Sequence, residues 1–134
     1  MTQTQKRFFS LLPILLIVGN ELVRTYIRPL YGKEEFGLLS VILGWLPNFL
    51  APLAFMTLGI LLVILLQDLL NKPITRRVSL FLLGVFILFG LVGFIGHEVT
   101  QKGTGLFYDV HDIYATLGGL FVGSVIYYYR LLSS

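Results

Sequence analysis

The sequence contains no cysteine and few charged residues, and each shortage excludes whole classes of protein. Without cysteine the chain forms no disulfide, holds no thiolate-bound metal and has no cysteine nucleophile. Charged residues make up 13% of the 134 residues and hydrophobic residues make up 56%, whereas a soluble domain carries roughly 25% charged residues. This composition excludes an ordinary soluble globule, and the mean hydropathy of +0.85 excludes intrinsic disorder.

Sequence patterns of nucleic-acid binding and of common catalytic sites are also missing. The net charge of +3 comes from basic residues between long apolar runs, which is typical of membrane topology signals and not of a nucleic-acid surface. The residues after His97 and Glu98 do not complete the zinc-protease pattern H-E-x-x-H, and no Walker A or G-x-S-x-G pattern occurs. The sequence therefore predicts no nucleic-acid partner, and it leaves enzymatic activity open.

Four apolar runs have the length that a helix needs to cross a bilayer, whose hydrocarbon core of about 30 Å takes roughly 20 helical residues. The predicted helices are residues 8–28, 49–66, 78–97 and 112–132. Residues 37–48 are also apolar but end at Pro47 and Asn48, which predicts a short re-entrant or interfacial segment with Asn48 as the cap of the next helix. We predict an all-α, integral membrane four-helix bundle that forms a single transmembrane domain over residues 1–134.

Charged residues between the runs predict the orientation in the membrane. With four spans, both termini lie on the same side as the turn at residues 67–77. That side is mainly basic: it carries Lys6, Arg7, Lys72, Arg76, Arg77 and Arg130, against Asp68. The positive-inside rule therefore predicts that both termini are cytoplasmic, in a protein integral to the cytoplasmic (inner) membrane. The run Tyr127–Tyr129 beside Arg130 predicts an aromatic anchor at the same interface.

The opposite, outer side carries charges of both signs, and ionisable groups at a membrane boundary favour a functional site because they are costly to hold there. The candidate ligand-binding residues are Glu21, Arg24, Arg28, Glu98, Gln101, Asp109 and Asp112. The first three are spaced i, i+3, i+7 and are predicted to share one helix face. Structural explanations also exist, because Asp112 suits an N-cap and Glu21 with Arg24 suits an interfacial ion pair.

His97 and His111 are the two histidines, and both lie at predicted helix boundaries. They are candidates for haem ligands between the third and fourth helices, or for a zinc site with Glu98 and Asp109. An imidazole at a membrane interface needs no ligand to explain it, and haem-binding bundles usually place axial histidines inside the apolar span. The sequence therefore predicts no cofactor and no metal.

Glycines recur in the third and fourth spans at spacings typical of close helix packing. They are Gly90, Gly93, Gly96, Gly118, Gly119 and Gly123, and Gly119 with Gly123 forms a G-x-x-x-G pair. We expect the third and fourth helices to pack antiparallel through these faces. That packing would place Glu98 and Gln101 next to Asp109 and Asp112.

The polar residues and glycines between His97 and Gly123 also form one spaced pattern. It consists of Glu98, two spacers, Gln101, a loop with Gly103 and Gly105, Asp112 at a helix start, and Gly119 and Gly123 in a glycine-rich helix. This pattern resembles the C-terminal signature of VanZ-like membrane proteins. The resemblance implies a small integral membrane protein of the bacterial envelope, some of whose relatives are linked to teicoplanin resistance. It makes Glu98, Gln101 and Asp112 the counterparts of the family's polar motif.

The chain departs from the family's pattern at several positions. His97 stands where the family tends to have Asp, and Thr116 stands where it tends to have Asn, four residues after the helix-opening Asp. The loop after Lys102 lacks the family's Arg. Pro47, Asn48 and Phe49 lie near the place of an Asp-Lys-x-x-His motif that is often found in the first half of the family.

Together these observations predict that the outer-face polar residues recognise an envelope component, either a lipid head group or a cell-wall precursor. One alternative is a membrane enzyme that acts on a lipid-linked substrate through carboxylate acid/base or divalent-metal chemistry. Another is a structural subunit of a larger membrane complex. The expected partner is a membrane lipid or lipid-linked precursor, with a homo-oligomer or a membrane-protein partner as the alternatives.

Overall fold

The computed structural model describes residues 1–101 and 110–133, with the backbone alone at Gln101, and these residues form four long helices. The helices are α1, Gln3–Tyr31; α2, Leu38–Leu70; α3, Arg76–Thr100; and α4, Val110–Leu132. A short 3₁₀ turn, Glu34–Phe36, lies between α1 and α2. All four helices are long and apolar enough to cross a membrane, which confirms the predicted all-α four-helix architecture.

The helices extend past the apolar runs because polar residues cap their ends. Thr2 and Gln5 form a reciprocal capping box at the start of α1. The Thr75 hydroxyl accepts a hydrogen bond from the backbone N–H of Val78 and caps α3. The apolar runs thus mark the spans, whereas the caps determine where two of the helices begin.

α2 is one helix of 33 residues, which corrects the predicted break at residues 37–48. It begins after Gly37, whose φ of 56° favours glycine. Pro47 and Pro52 are both buried inside the helix, and membrane helices tolerate proline because neighbouring groups satisfy the freed backbone. Asn48 is therefore an interior residue and not a cap. At 1.5 Å per residue α2 is about 50 Å long, so it extends beyond a hydrocarbon core of about 30 Å.

α2 is also the central helix of the bundle. Buried residues make up 44% of an apolar 18-residue stretch of α2, against 33% of the corresponding stretch of α4 and 11% of those of α1 and α3. The most extensive contacts between helices are those of α4 and α1 with α2. Large apolar side chains such as Leu15, Phe81, Phe89 and Phe121 are exposed around this core. Such an extensive apolar surface is expected of a protein that faces lipid and is unusual for one that faces water.

α4 approaches α2 closely at two glycines. A Cβ atom at Gly119 would collide with the backbone carbonyl of Phe49, and one at Gly123 would collide with the side chain of Met56. Small residues of this kind let two helix backbones approach where no larger side chain fits. The G-x-x-x-G pair therefore packs on α2, and not on α3 as the sequence predicted.

The remaining predicted packing glycines behave differently from one another. Gly90 is the point where α3 meets α4, since a Cβ there would lie 2.6 Å from Cδ2 of Leu120. A Cβ atom at Gly118 would lie 3.5 Å from the ring of Phe49 in α2, which is an ordinary van der Waals distance. A Cβ atom added at Gly93 or Gly96 would meet no other described part of the protein within 4 Å. Among the predicted packing glycines, which all lie in the described part of the chain, Gly90 is thus the one where an added Cβ would meet the other helix of the α3–α4 pair.

Polar contacts close the bundle at the end that carries both termini. Lys6 of α1 forms an ion pair with Asp68 of α2. The guanidinium carbon of Arg130 in α4 lies 5.4 Å from the centre of the Phe9 ring in α1, which is within the range of a cation–π contact. These contacts join the start of α1 to the last turns of α2 and α4.

Tyr127 does not belong to the predicted aromatic anchor. Its side chain is fully buried, and its hydroxyl donates a hydrogen bond of 3.0 Å to the backbone carbonyl of Ser79. Tyr128 and Tyr129 remain exposed. The difference follows from helical periodicity, which turns Tyr127 toward the core and its two successors away from it.

Gly119→Ala is expected to destabilise the folded protein by about 1–3 kcal/mol, because the added methyl group meets backbone and not a movable side chain. Gly84→Ala is the matched control, since a methyl group there meets no described atom within 4 Å. Thermal unfolding of both variants in detergent measures the difference. A Gly119→Ala protein that melts with the control would contradict the close approach of α4 to α2.

Candidate functional site

A cleft of about 350 Å³ lies between all four helices at the end opposite the termini. Its lining consists of Asn20, Arg24 and Arg28 from α1, Pro47, Asn48 and Ala51 from α2, Phe94, His97 and Glu98 from α3, and Asp112 and Thr116 from α4. We call this cavity the polar cleft. Its volume falls within the range of about 300–1,000 Å³ that is typical of small-molecule sites.

The structure brings Arg24, Arg28, Glu98 and Asp112, all predicted candidates, into the lining of the polar cleft. Glu21 does not reach it. The exposed Glu21 carboxylate instead lies 3.6 Å from the Arg24 guanidinium on the surface of α1. The interfacial ion pair that the sequence suggested is therefore present beside the cleft.

Other predicted positions fall outside the described residues. These are Asp109, the side chain of Gln101, and the motif glycines Gly103 and Gly105. The sequence also predicted that Glu98 and Asp112 lie near each other. Both residues are described, and both line the polar cleft.

Two π-helical turns, Val23–Ile27 in α1 and Leu91–Ile95 in α3, adjoin the polar cleft. A π turn bonds residue i to i+5 and not to i+4, so it changes which residues of the next turn face inward. The first turn contains Arg24 and is followed at once by Arg28. The i, i+3 pair of Glu21 and Arg24 forms across the start of this turn.

Two buried oxygen atoms in the polar cleft have no hydrogen-bond partner among the described residues: Oδ1 of Asn20 and Oε2 of Glu98. Asn20 is 8% exposed and Glu98 is 6% exposed. Leaving a buried polar atom unsatisfied costs about 1–3 kcal/mol, and more when the group is charged. Native proteins keep few such atoms, so their presence together in one cleft points to a missing partner.

Charges of both signs line the polar cleft on different helices. Arg24 and Arg28 lie on α1, whereas Glu98 and Asp112 lie on α3 and α4, where their charges interact with each other. Arg24 pairs with Glu21, and Arg28 makes no ion pair within the described ranges. Ion pairing among the described residues therefore leaves the Arg28 guanidinium available, while Glu98 interacts electrostatically with both Asp112 and His97.

Two further grooves continue the polar cleft on the sides of α2 and α4. The first, of about 420 Å³, shares Arg28 and Asp112 with the polar cleft and is completed by Ser40, Val41, Gly44, Trp45 and His111. The second, of about 290 Å³, shares Trp45 and His111 with the first and adds Phe49, Tyr114, Ala115 and Gly118. From the polar cleft through the first groove to the second, the lining thus changes from charged to mainly apolar.

The two histidines lie in different parts of this series. His97 lines the polar cleft, and His111 lines the neighbouring groove, with its ring centre 6.3 Å from that of Tyr114. No group of three or more His, Cys, Asp or Glu side chains that could hold a metal occurs within residues 1–101 and 110–133.

Asn20, Asn48 and Thr116 are cleft residues that were not among the sequence candidates. Asn20 stands four residues before Arg24, and Thr116 stands four residues after Asp112, which is the spacing of residues on one helix face. That signal was available in the sequence. Asn48 had no comparable signal, because its position inside a continuous helix was not predicted.

Glu98→Gln is expected to raise the free energy of unfolding by roughly 1–2 kcal/mol, since a neutral amide costs less to bury than a charged carboxylate whose Oε2 has no hydrogen-bond partner among the described residues. Glu21→Gln is the matched control, because Glu21 is exposed and its replacement should change stability by less than about 0.5 kcal/mol. Thermal unfolding in detergent without added lipid measures both. A lower melting temperature for Glu98→Gln would mean that the carboxylate is paired in the folded protein.

No protein-family model matches the chain, and neither the curated proteins nor the solved structures contain a significant match. The VanZ-like resemblance of residues 97–123 therefore rests on the sequence motif alone. Two of its polar positions, Glu98 and Asp112, line the polar cleft, and so do His97 and Thr116, where the chain departs from the family's residues.

Proposed function

We propose that this chain is an integral membrane protein that binds, in the polar cleft, the phosphate-bearing head group of a membrane lipid or lipid-linked precursor. The observation that carries the proposal is the presence of Arg24 and Arg28, two guanidinium groups from one helix, in the lining of the same cleft. A guanidinium group matches a phosphate with two parallel N–H donors. Arg28 gives up no ion pair within the described residues when it binds such a group.

The order of the cavities supports an amphiphilic ligand. The polar cleft suits a head group, whereas the last groove of the series is lined by Trp45, Phe49, Tyr114 and Ala115 and suits an acyl chain. The intermediate groove shares residues with both of the others. A lipid places its polar and apolar parts in this same order, which a small soluble ion does not.

The charge distribution and the VanZ-like motif favour the outer face of a bacterial cytoplasmic membrane as the site of binding. The end of the bundle with both termini carries mainly basic residues, and the end with the polar cleft carries charges of both signs. By the positive-inside rule the cleft then faces the envelope. A lipid head group or a lipid-linked cell-wall precursor is the ligand class that this face meets.

Arg28→Ala is expected to weaken phospholipid binding about tenfold, because a charge-assisted hydrogen bond contributes roughly 1.5–3 kcal/mol and each 1.4 kcal/mol is about a factor of ten. Native mass spectrometry of the full chain titrated with dioleoyl phospholipids in mild detergent measures the dissociation constant. Arg77→Ala is the matched control, since Arg77 is an exposed arginine at the opposite end of α3. Equal phospholipid affinity of the wild type and both variants would contradict the proposed site.

The orientation is tested by single introduced cysteines, because the chain itself has no other thiol that a maleimide could label. Lys33→Cys lies between α1 and α2, and Ser133→Cys lies beyond α4; both residues are exposed. A membrane-impermeant maleimide added to intact spheroplasts is expected to label Lys33→Cys and to label Ser133→Cys only after lysis. The reverse pattern would place the polar cleft on the cytoplasmic face.

A further inference from the structure

Two oxygen atoms of the residues that line the polar cleft lack a hydrogen-bond partner among the described residues, and they define the chemistry of the group that completes the cleft. Oδ1 of Asn20 and Oε2 of Glu98 are both hydrogen-bond acceptors. The group that satisfies them therefore carries N–H or O–H donors. A phosphate is itself an acceptor and carries negative charge, so it satisfies neither atom.

Charge selects among the possible donors. Glu98 is buried, and the neighbouring Asp112 adds a second negative charge to this side of the polar cleft. His97 offsets part of this negative charge. A hydroxyl group would supply a hydrogen bond but no further positive charge for the two neighbouring carboxylates, and buried charge is costly away from water. A cationic donor supplies both the hydrogen bond and the positive charge. The wall formed by α3 and α4 thus suits an ammonium group, whereas the arginines of α1 suit an anion.

We infer that the ligand of the polar cleft is a phospholipid whose head group ends in a primary ammonium. This inference rests on the proposed function and narrows its ligand class. The phosphate binds Arg24 and Arg28, while the ammonium donates to Glu98 and Asn20. A primary ammonium has three N–H donors, so one donor remains after the two unpartnered oxygen atoms are satisfied. Asp112 and Thr116, whose side chains carry acceptor oxygen atoms, also line this cleft and would accept the third donor.

A quaternary ammonium tests this assignment because it keeps the charge and removes every N–H donor. Proteins recognise quaternary ammonium groups with cages of aromatic rings. The rings in the described lining of the polar cleft are those of Phe94 and His97, while the unpartnered atoms are oxygen. The cleft is therefore expected to discriminate between the two kinds of head group.

The test uses the full wild-type chain in mild detergent and four dioleoyl phospholipids. They are phosphatidylethanolamine, its N-methyl and N,N-dimethyl derivatives, and phosphatidylcholine, which share the phosphate, the acyl chains and the net charge. Native mass spectrometry gives the bound fraction at each lipid concentration. We expect the dissociation constant to rise with each methyl group and to be at least tenfold higher for phosphatidylcholine than for phosphatidylethanolamine.

Two variants separate the two halves of the head group. Glu98→Gln is expected to weaken the binding of phosphatidylethanolamine by a larger factor than that of phosphatidylcholine, because the first lipid loses a hydrogen bond and a charge interaction and the second loses the charge interaction alone. Arg28→Ala is expected to raise the dissociation constants of both lipids by the same factor, because both carry the phosphate. Thermal unfolding confirms that each variant is folded, and the comparison of lipids on the wild-type chain needs no variant.

The outcomes distinguish this inference from the proposed function. Equal affinity of the wild type for the two lipids, together with weaker binding of both by Arg28→Ala, overturns the ammonium assignment and supports the proposed phosphate site. Wild-type binding no stronger than that of Arg28→Ala for every lipid overturns both. Displacement of the lipid by equimolar soluble sn-glycero-3-phosphoethanolamine overturns the lipid as the ligand, because the free head group would then bind as well as the lipid.

Discussion

The close approach of α4 to α2 at Gly119 is the contact on which the rest of the structure depends. Because Gly119 leaves room for the backbone carbonyl of Phe49, the face of α4 that continues toward its N-terminus is held against the central helix. Asp112 and Thr116 lie on this face, seven and three residues earlier. The contact that joins the two helices therefore also places these two side chains at the polar cleft.

The two ends of the bundle satisfy their polar groups differently. At the end with the termini, the buried hydroxyl of Tyr127 is hydrogen bonded to Ser79. At the other end, Asn20 and Glu98 keep buried oxygen atoms without partners in the described part of the chain. Such atoms lower stability, and proteins tend to retain local conflicts of this kind where function requires them. Their confinement to one cleft, beside two arginines, favours a ligand site over poor packing.

The charged residues of the cleft were predictable because charge is rare and costly in so apolar a sequence. Arg24, Arg28, Glu98 and Asp112 could thus be singled out without knowledge of any contact. Neutral polar residues such as Asn48 give a weaker signal, since prolines on either side favoured a helix break that the structure does not contain. The spacing of Glu21 suggested a face shared with the arginines, and Glu21 does pair with Arg24, but it does not line the polar cleft.

The sequence by itself determined four apolar helices, a basic end and an end of mixed charge, because hydropathy and charge are properties of consecutive residues. Only the tertiary structure decided that the G-x-x-x-G pair packs on α2, that side chains from all four helices meet in one cleft, and that two oxygen atoms there have no partner among the described residues. These features depend on distances and rotations between helices that are remote in sequence. Helical periodicity does not specify them, because it places residues on a face without saying what that face meets.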